Sequence, residues 1–391
     1  MNANEIIDIE NKHTSGVYAK QTLTIVRGQG ASLFDADGNE FLDCSSGHGV
    51  ANLGHAHPKI AEALYKQANT LITLFETFPN DQRAALMEKI TALVPGMDRV
   101  FFCNSGTEAV EASFKFSRIS TGRKNFIAAN RAFHGRTYGS LSATFNKKYR
   151  EGFEPLLPGV SHVSYNNIEA LERAVNEETA AVILEVVQGE GGVYPASLEY
   201  IQAARRICDE RGALLIVDEI QTGFGRTGKM FAVQHFDVKP DLLTCAKSIA
   251  GGVPMGAVLI GPNVKNLTPG VHGSTFGGNP LSCAAANAAL DVMKDEDLPG
   301  QAAAKGAYLV EKLKKIESPN IREVRGLGLM VGIEMKQKVT GYLKALQERK
   351  IIALNAGLTV IRLLPPLVIT YEQIDHLVDV LTEVLTQETN D

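Results

Sequence analysis

DLLTCAKSIAGG, residues 241–252, and ALLIVDE, residues 213–219, together decide how this chain is read. Each starts as a short apolar run of strand length and ends on chemistry, Asp218 and Glu219 in one and Lys247 in the other. The small, glycine-rich SIAGG after Lys247 leaves room beside its amine. Strands joined by long connections run parallel, and the carboxyl ends of parallel strands are where α/β proteins hold ligands.

Five more runs have the same character: RVFF at 99–102, NFIAA at 125–129, SHVS at 161–164, AAVILEV at 180–186 and AVLI at 257–260. Between them AALMEKITALV at 84–94, EAVEASFKFSRI at 108–119 and EYIQAARRICDERG at 199–212 place apolar residues at helical spacing. The pattern predicts an α/β fold, a mainly parallel seven-stranded sheet covered on both faces. ANAALDVM at 286–293 opens a helical region predicted to run past Pro299-Gly300. From about residue 309 the chain reads as α+β, with LVEKLKKI as helix and REVRGLGLMVGIEM as a strand pair around a glycine turn. IVRGQGASLFDADGNEFLDC, residues 25–44, reads as strands around the turn DADGNE and is expected to pack with that C-terminal unit. The expected division is 1–50 (N-terminal segment), 51–300 (large domain) and 301–391 (small domain).

With 391 residues, 45% of them hydrophobic, the chain can bury a large core. A net charge of −5 without a basic run argues against a nucleic-acid partner. Five cysteines without paired spacing suit a reduced, cytoplasmic protein, and no apolar stretch reaches the length of a membrane span. RGQGASL and VQGEGGV contain only G-x-G, and His55-Ala56-His57 lacks further ligands, so neither a nucleotide fold nor a metal is predicted.

The candidate chemistry needs four parts. Lys247, shielded from water, can lose its proton and attack an aldehyde, serving as covalent anchor and later as proton carrier. Asp218, at a strand end, suits the protonated nitrogen of a pyridine ring, with Gln221 beside the ring's phenolate oxygen and Glu219 behind. Ser105, Gly106 and Thr107 lie between a strand and a helix, where free N–H groups and the helix dipole attract a phosphate. Phe133 and His134 follow another strand beside a flat cofactor, and Arg136 next to them can grip a substrate carboxylate. Taken singly, Asn104–Glu108 also reads as a capped helix start and Val217–Glu219 as a capping or metal-binding acid. Together they point to pyridoxal 5'-phosphate.

These residues sit in an ordered set of motifs that resembles the class III, or ω-amino, pyridoxal-phosphate aminotransferases. The set is NLGHAHP (52–58), NSGTEA (104–109), FHGRT (133–137), EVVQGEGG (185–192), VDEIQTGFGRTG (217–228), AKSIAGGVPMGAV (246–258) and HGSTFGGNP (272–280). The resemblance implies fold type I, a large domain plus a small domain built from both termini, and a homodimer with shared active sites. It implies Lys247 as Schiff-base lysine and Thr275 as the residue reaching the phosphate of the partner subunit's cofactor. Arg136 would receive the donor's α-carboxylate and Arg362 that of 2-oxoglutarate or glutamate, with Glu185 masking Arg362 for ω-amine substrates. Ser274 and Tyr18 join the substrate set. SGVY (15–18), NIREVRGLGLMVGIEM (320–335) and AGLTVIRLLPPLVIT (356–370) resemble the acetylornithine aminotransferases and their sisters acting on aminoadipate semialdehyde attached to a small acidic carrier protein. A 4-aminobutyrate or ornithine aminotransferase, a related aminomutase and a noncatalytic α/β scaffold are the competing readings.

Overall fold

Seven strands, labelled β1–β7 in chain order, make the central sheet of this computed structural model, which describes residues 1–386. They are β1 (Arg99–Cys103), β2 (Asn125–Ala129), β3 (Val160–Val163), β4 (Thr179–Glu185), β5 (Leu214–Asp218), β6 (Leu242–Cys245) and β7 (Gly256–Ile260). Their spatial order is β1-β7-β6-β5-β4-β2-β3. Every neighbouring pair is parallel except those of β7, which runs against both β6 and β1. Each strand coincides with a run predicted from sequence.

The sheet is buried on both faces, which is why β4 and β5 are apolar throughout rather than alternating. Ile127, Val182, Leu184, Leu215 and Val217 join one core cluster, while Phe126, Ala181, Ile183, Leu214 and Ile216 join the other. Helix α1 (Gly106–Thr121) starts at Ser105, whose side chain accepts from Glu108 N, and stops at Gly122 with φ 70°. Its Phe114 stacks on Phe126 of β2 with ring centroids 4.2 Å apart. Helix α2 (Leu198–Arg211) is bounded in the same way by Ser197 and Gly212.

Two smaller sheets carry the chain's ends. Residues 321–327, 330–335, 360–363 and 354–356 form an antiparallel sheet in that spatial order. Strands Ile25–Gln29, Ser32–Asp35 and Glu40–Asp43 form another, to which Ile351–Ile352 adds in parallel against Leu42 and Asp43. The turn at 35–39 closes as its sequence predicts, with the Asp35 carboxylate accepting from Asp37 N and Asn39 N and with Gly38 at φ 86°.

The helical region predicted to run past Pro299 is instead two helices, Pro280–Asp295 and Leu298–Leu313. Asp297 turns left-handed at φ 44° and its carboxylate caps Gly300 N, while Pro299 takes a first-turn position where no N–H is needed. Among the described residues no helix is long and apolar enough to cross a membrane.

Arg226 ties distant segments together from a fully buried position. Its Nη1 donates to Leu329 O (3.0 Å) and Pro365 O (2.5 Å), and its Nη2 donates to Asn52 Oδ1 (2.6 Å). Burial draws its pKa down to about 9.

Candidate active site

Because β7 alone runs against the others, the carboxyl ends of six strands reach one edge of the sheet. The loops 104–107, 133–136, 185–190, 218–222 and 246–247 all leave from that edge, and their residues line one cavity of about 470 Å³. Ser105, Gly106, Thr107, Phe133, His134, Arg136, Glu185, Asp218, Gln221 and Lys247 of the predicted set are among them.

Lys247 opens a short 3-10 turn (Lys247–Ala250) with φ 41°, a left-handed conformation that a lysine seldom takes without tertiary enforcement. Burial pulls its amine below the ordinary lysine range; Glu190 opposes that pull and Arg362 adds to it. Asp218 is buried, its Oδ1 accepting from Ile220 N (3.0 Å) and its Oδ2 lying 2.6 Å from His134 Nδ1. Burial opposes charging of His134, yet the bond and the charge of Asp218 raise its pKa overall.

Ser105 caps α1, placing Gly106 and Thr107 in its first turn with the free N–H groups of a helix start facing the cavity wall. Thr107 Oγ1 lies 2.6 Å from Ser140 Oγ and 2.7 Å from Thr137 Oγ1, which joins this turn to the Phe133–Thr137 loop. Gly135 has φ 137°, and a Cβ there would stand 2.5 Å from Thr107 Oγ1, so the two loops meet only through glycine. Arg136 lies over the rings of Tyr149 (4.3 Å) and Phe133 (5.8 Å) at the exposed rim.

Gly256, the first residue of β7, presses on the same turn: a Cβ there would fall 2.4 Å from Ser105 O. Gly256→Ala is expected to push the 104–107 turn outward, costing about 1–3 kcal/mol of stability and weakening cofactor retention. Thermal denaturation together with cofactor loss on dialysis measures both, and unchanged retention would show that the turn yields without consequence.

The structure departs from the sequence reading around Arg362. Its partner is Glu190, at 2.6 Å from Nη1, and not Glu185. Glu185 ends β4 in register with Asp218, and its carboxylate is held by Phe133 N (3.0 Å) and Gly189 N (3.3 Å). Burial pushes Glu185 up to about 7, so it retains a proton far more readily than an exposed carboxyl. Gln221 also turns toward Arg362, its Oε1 accepting from Nη1 at 3.1 Å. The buried Nε and Nη2 of Arg362 have no partner.

Tyr18, Ser274 and Thr275 do not line the cavity. Tyr18 is 75% exposed in a segment without regular structure, and Ser274 reaches the rim only through Asn104 Nδ2 (3.1 Å). Thr275 is exposed beside it. Two residues were missed by sequence reasoning. Glu190 sits in the same EVVQGEGG motif as Glu185, and its spacing alone gave no way to choose between the two. His48, left-handed at φ 66°, is near enough to Arg362, Glu190 and Lys247 to feel their charges.

A family model described as aminotransferase class-III matches residues 15–385. The chain is 51% identical to a LysW-aminoadipate semialdehyde transaminase of Deinococcus radiodurans, covering 98% of this chain and 91% of that protein. It is 44% identical to an acetylornithine aminotransferase of Methanocaldococcus jannaschii, with 97% and 98% covered. Among solved structures, the ornithine aminotransferase of Toxoplasma gondii superposes with a TM-score of 0.95 at 34% identity, covering 98% of this chain and 95% of that one.

The cavity's donor set fits a flat, phosphate-bearing aldehyde. It offers an amine, a buried carboxylate fixed by two hydrogen bonds, a helix start without side-chain bulk at Gly106, and an aromatic ring. The orphaned donors of Arg362 supply what a carboxylate substrate would need.

Proposed function

The chain belongs to the class III aminotransferases, pyridoxal-phosphate enzymes, and from that premise we propose that it moves the terminal amino group of a carrier-linked lysine to 2-oxoglutarate, in lysine biosynthesis. The products are a carrier-linked semialdehyde and glutamate.

The carrying observation is two arginines in different states at one cavity, Arg136 in its wall and Arg362 behind the lining residues Glu190 and Gln221. Arg136 stands open at the rim, while Arg362 is fully buried and covered by Glu190. A donor with one carboxylate takes Arg136 and leaves the Arg362–Glu190 pair closed. A dicarboxylate needs both arginines, so Glu190 must swing aside. One pocket then serves both halves of the exchange.

Bound pyridoxal phosphate supplies an aldehyde that takes up an amino group and a ring that withdraws electrons. Lys247 Nζ, its proton loosened by burial, takes the proton from the amine-bearing carbon and returns it on the other side of the exchange. Asp218, fixed by Ile220 N and His134, would favour a proton on the ring nitrogen through its negative charge. Gly106 and Thr107 would hold the phosphate, with Phe133 against the ring and Gln221, which accepts from Arg362, near its phenolate oxygen.

Two features favour a carrier-linked donor. Lys147, Lys148 and Arg150 belong to a basic turn whose Tyr149 packs under Arg136 of the cavity wall, and both lysines are exposed. Such a rim attracts a small acidic protein. The likeness to the Deinococcus radiodurans enzyme points the same way, whereas that to acetylornithine aminotransferases supports N-acetylornithine, in arginine biosynthesis, as a second donor.

A second copy of the chain completes the site in this reading. Phe75, Phe78 and Phe276 are 60%, 61% and 61% exposed. The buried Arg83 holds their two loops together by donating to Leu74 O, Phe78 O and Gly278 O. This apolar face suits a homodimer that would bring Thr275 to the partner's phosphate and Ser274 and Tyr18 toward its substrate.

Single-turnover absorbance with carrier-linked lysine, N-acetylornithine and 4-aminobutyrate at matched concentration tests the donor. Carrier-linked lysine should react fastest, and charge reversal at Lys147 and Lys148 should slow that donor alone, by roughly tenfold at low salt. Fastest reaction with 4-aminobutyrate would sink the proposal.

A further inference from the structure

Arg325, Gly332 and Arg362 stand in one row across three antiparallel strands of the C-terminal sheet, with Arg325 opposite Gly332 and Gly332 opposite Arg362. Residues in such a row share a face, so the two arginines lie about 10 Å apart with a glycine between. The loop that follows Glu190 is seated along this row. At one end Glu190 meets Arg362. In the middle, Val193 fills the space over Gly332, where an added Cβ would stand 2.9 Å from Val193 Cβ. At the other end Arg325 donates from Nη2 to Gly192 O (2.6 Å) and from Nε to Gly192 O (3.1 Å) and Val193 O (3.0 Å).

The loop needs this hold. Val193 is β-branched yet left-handed at φ 55°, a conformation that persists only where surrounding contacts impose it. Arg325 is itself fixed from the far side: its Nη1 donates to Glu334 Oε2 (2.5 Å) and Glu323 Oε2 (2.8 Å). Its guanidinium lies 3.7 Å from the centre of the Tyr194 ring, whose hydroxyl donates to Glu334 (3.0 Å).

We infer that Arg325 is a positioning residue and specificity determinant for the exchange: by clamping Gly192 and Val193 it places Glu190 on Arg362, and so sets how often Arg362 is open to a dicarboxylate. The inference rests on the Arg362–Glu190 pair acting as the switch proposed above. Lysine cannot replace Arg325, because a single ammonium cannot span two carbonyls and two carboxylates as the planar fork does.

Arg325→Lys, Gly332→Ala and Glu190→Gln, all at saturating cofactor, provide the test. KM and kcat are measured separately for 2-oxoglutarate and for the donor that reacts faster of carrier-linked lysine and N-acetylornithine. Arg325→Lys should raise the donor KM about tenfold, the worth of one charge-assisted hydrogen bond, without raising the 2-oxoglutarate KM. Glu190→Gln should move the ratio of the two KM values in the same direction. Should Glu190→Gln shift the ratio while Arg325→Lys leaves it unchanged, or moves both KM values together, the role of Arg325 is overturned and the switch stands. Should Glu190→Gln leave the ratio unchanged, the switch itself fails and this inference with it. If Arg325→Lys does not fold, Gly332→Ala decides by the same ratio, since it unseats Val193 without touching the charges.

Discussion

Lys247→Ala is expected to lower turnover by at least about 10²–10⁴-fold, the usual contribution of a positioned proton-transfer group, while the fold and the secondary structure stay intact. The residue lies on a short 3-10 turn at the cavity wall, and no core contact of the sheet depends on its amine. Burial keeps the amine below its ordinary pKa of 10.5, so the neutral form that can accept a proton becomes available at a lower pH than for a surface lysine. Activity should therefore rise with pH through that lowered pKa and level off above it. In Lys247→Ala, added methylamine should restore part of the rate, with the inflection moved to the pKa of the added amine. Lys247→Arg should not recover activity, because a guanidinium does not give up its proton at these pH values. Turnover within tenfold of wild type in the alanine variant would falsify the assignment.

Arg226→Ala should destabilise the fold by roughly 3–5 kcal/mol, the largest stability effect expected of a single side chain away from the cavity. It strands three buried acceptors, Leu329 O, Pro365 O and Asn52 Oδ1, each worth about 1–3 kcal/mol when unpaired. Relief from burying a charge offsets part of this sum. That charge opposes folding at neutral pH, since burial draws the pKa down to about 9 from the ordinary arginine range, and the hydrogen bonds are what stabilise. Arg226→Met keeps most of the volume and removes the charge, so it should cost less than alanine by about 1–2 kcal/mol. Urea denaturation of both variants at saturating cofactor gives the comparison. An alanine variant within about 0.5 kcal/mol of wild type would mean that the three acceptors find water or other partners.

What could be read from sequence was what is encoded locally. Each strand of the central sheet is an apolar run bounded by turn residues, so all seven were legible without any long-range information. Lys247 and Asp218 were legible for the same reason: a charged side chain ending an apolar strand has few structural uses, and the parallel order sends both to one edge. The cap at Ser105 and the stop at Gly122 follow from single residues. The break at Asp297 escaped because Ala, Leu and Val continue the helical spacing on both sides of it.

Pairing across the chain is a different kind of information. Glu185 and Glu190 are equally acidic and five residues apart, and only the reversal of the loop between them turns one toward Asp218 and the other toward Arg362. No local preference distinguishes them. Gly256, Gly135 and Gly332 look in sequence like ordinary flexible positions, yet each is required because another segment comes too close for a Cβ. Arg325 and Arg226 are buried against carbonyls far away in the chain, partners that no local signal announces. Periodicity and strand-end chemistry are short-range, which is why the sheet and the cofactor were readable along the chain and Lys247 stood out as the lysine to propose. Tertiary structure alone decided which carboxylate covers which arginine, because that depends on the packing of loops onto a sheet more than a hundred residues away.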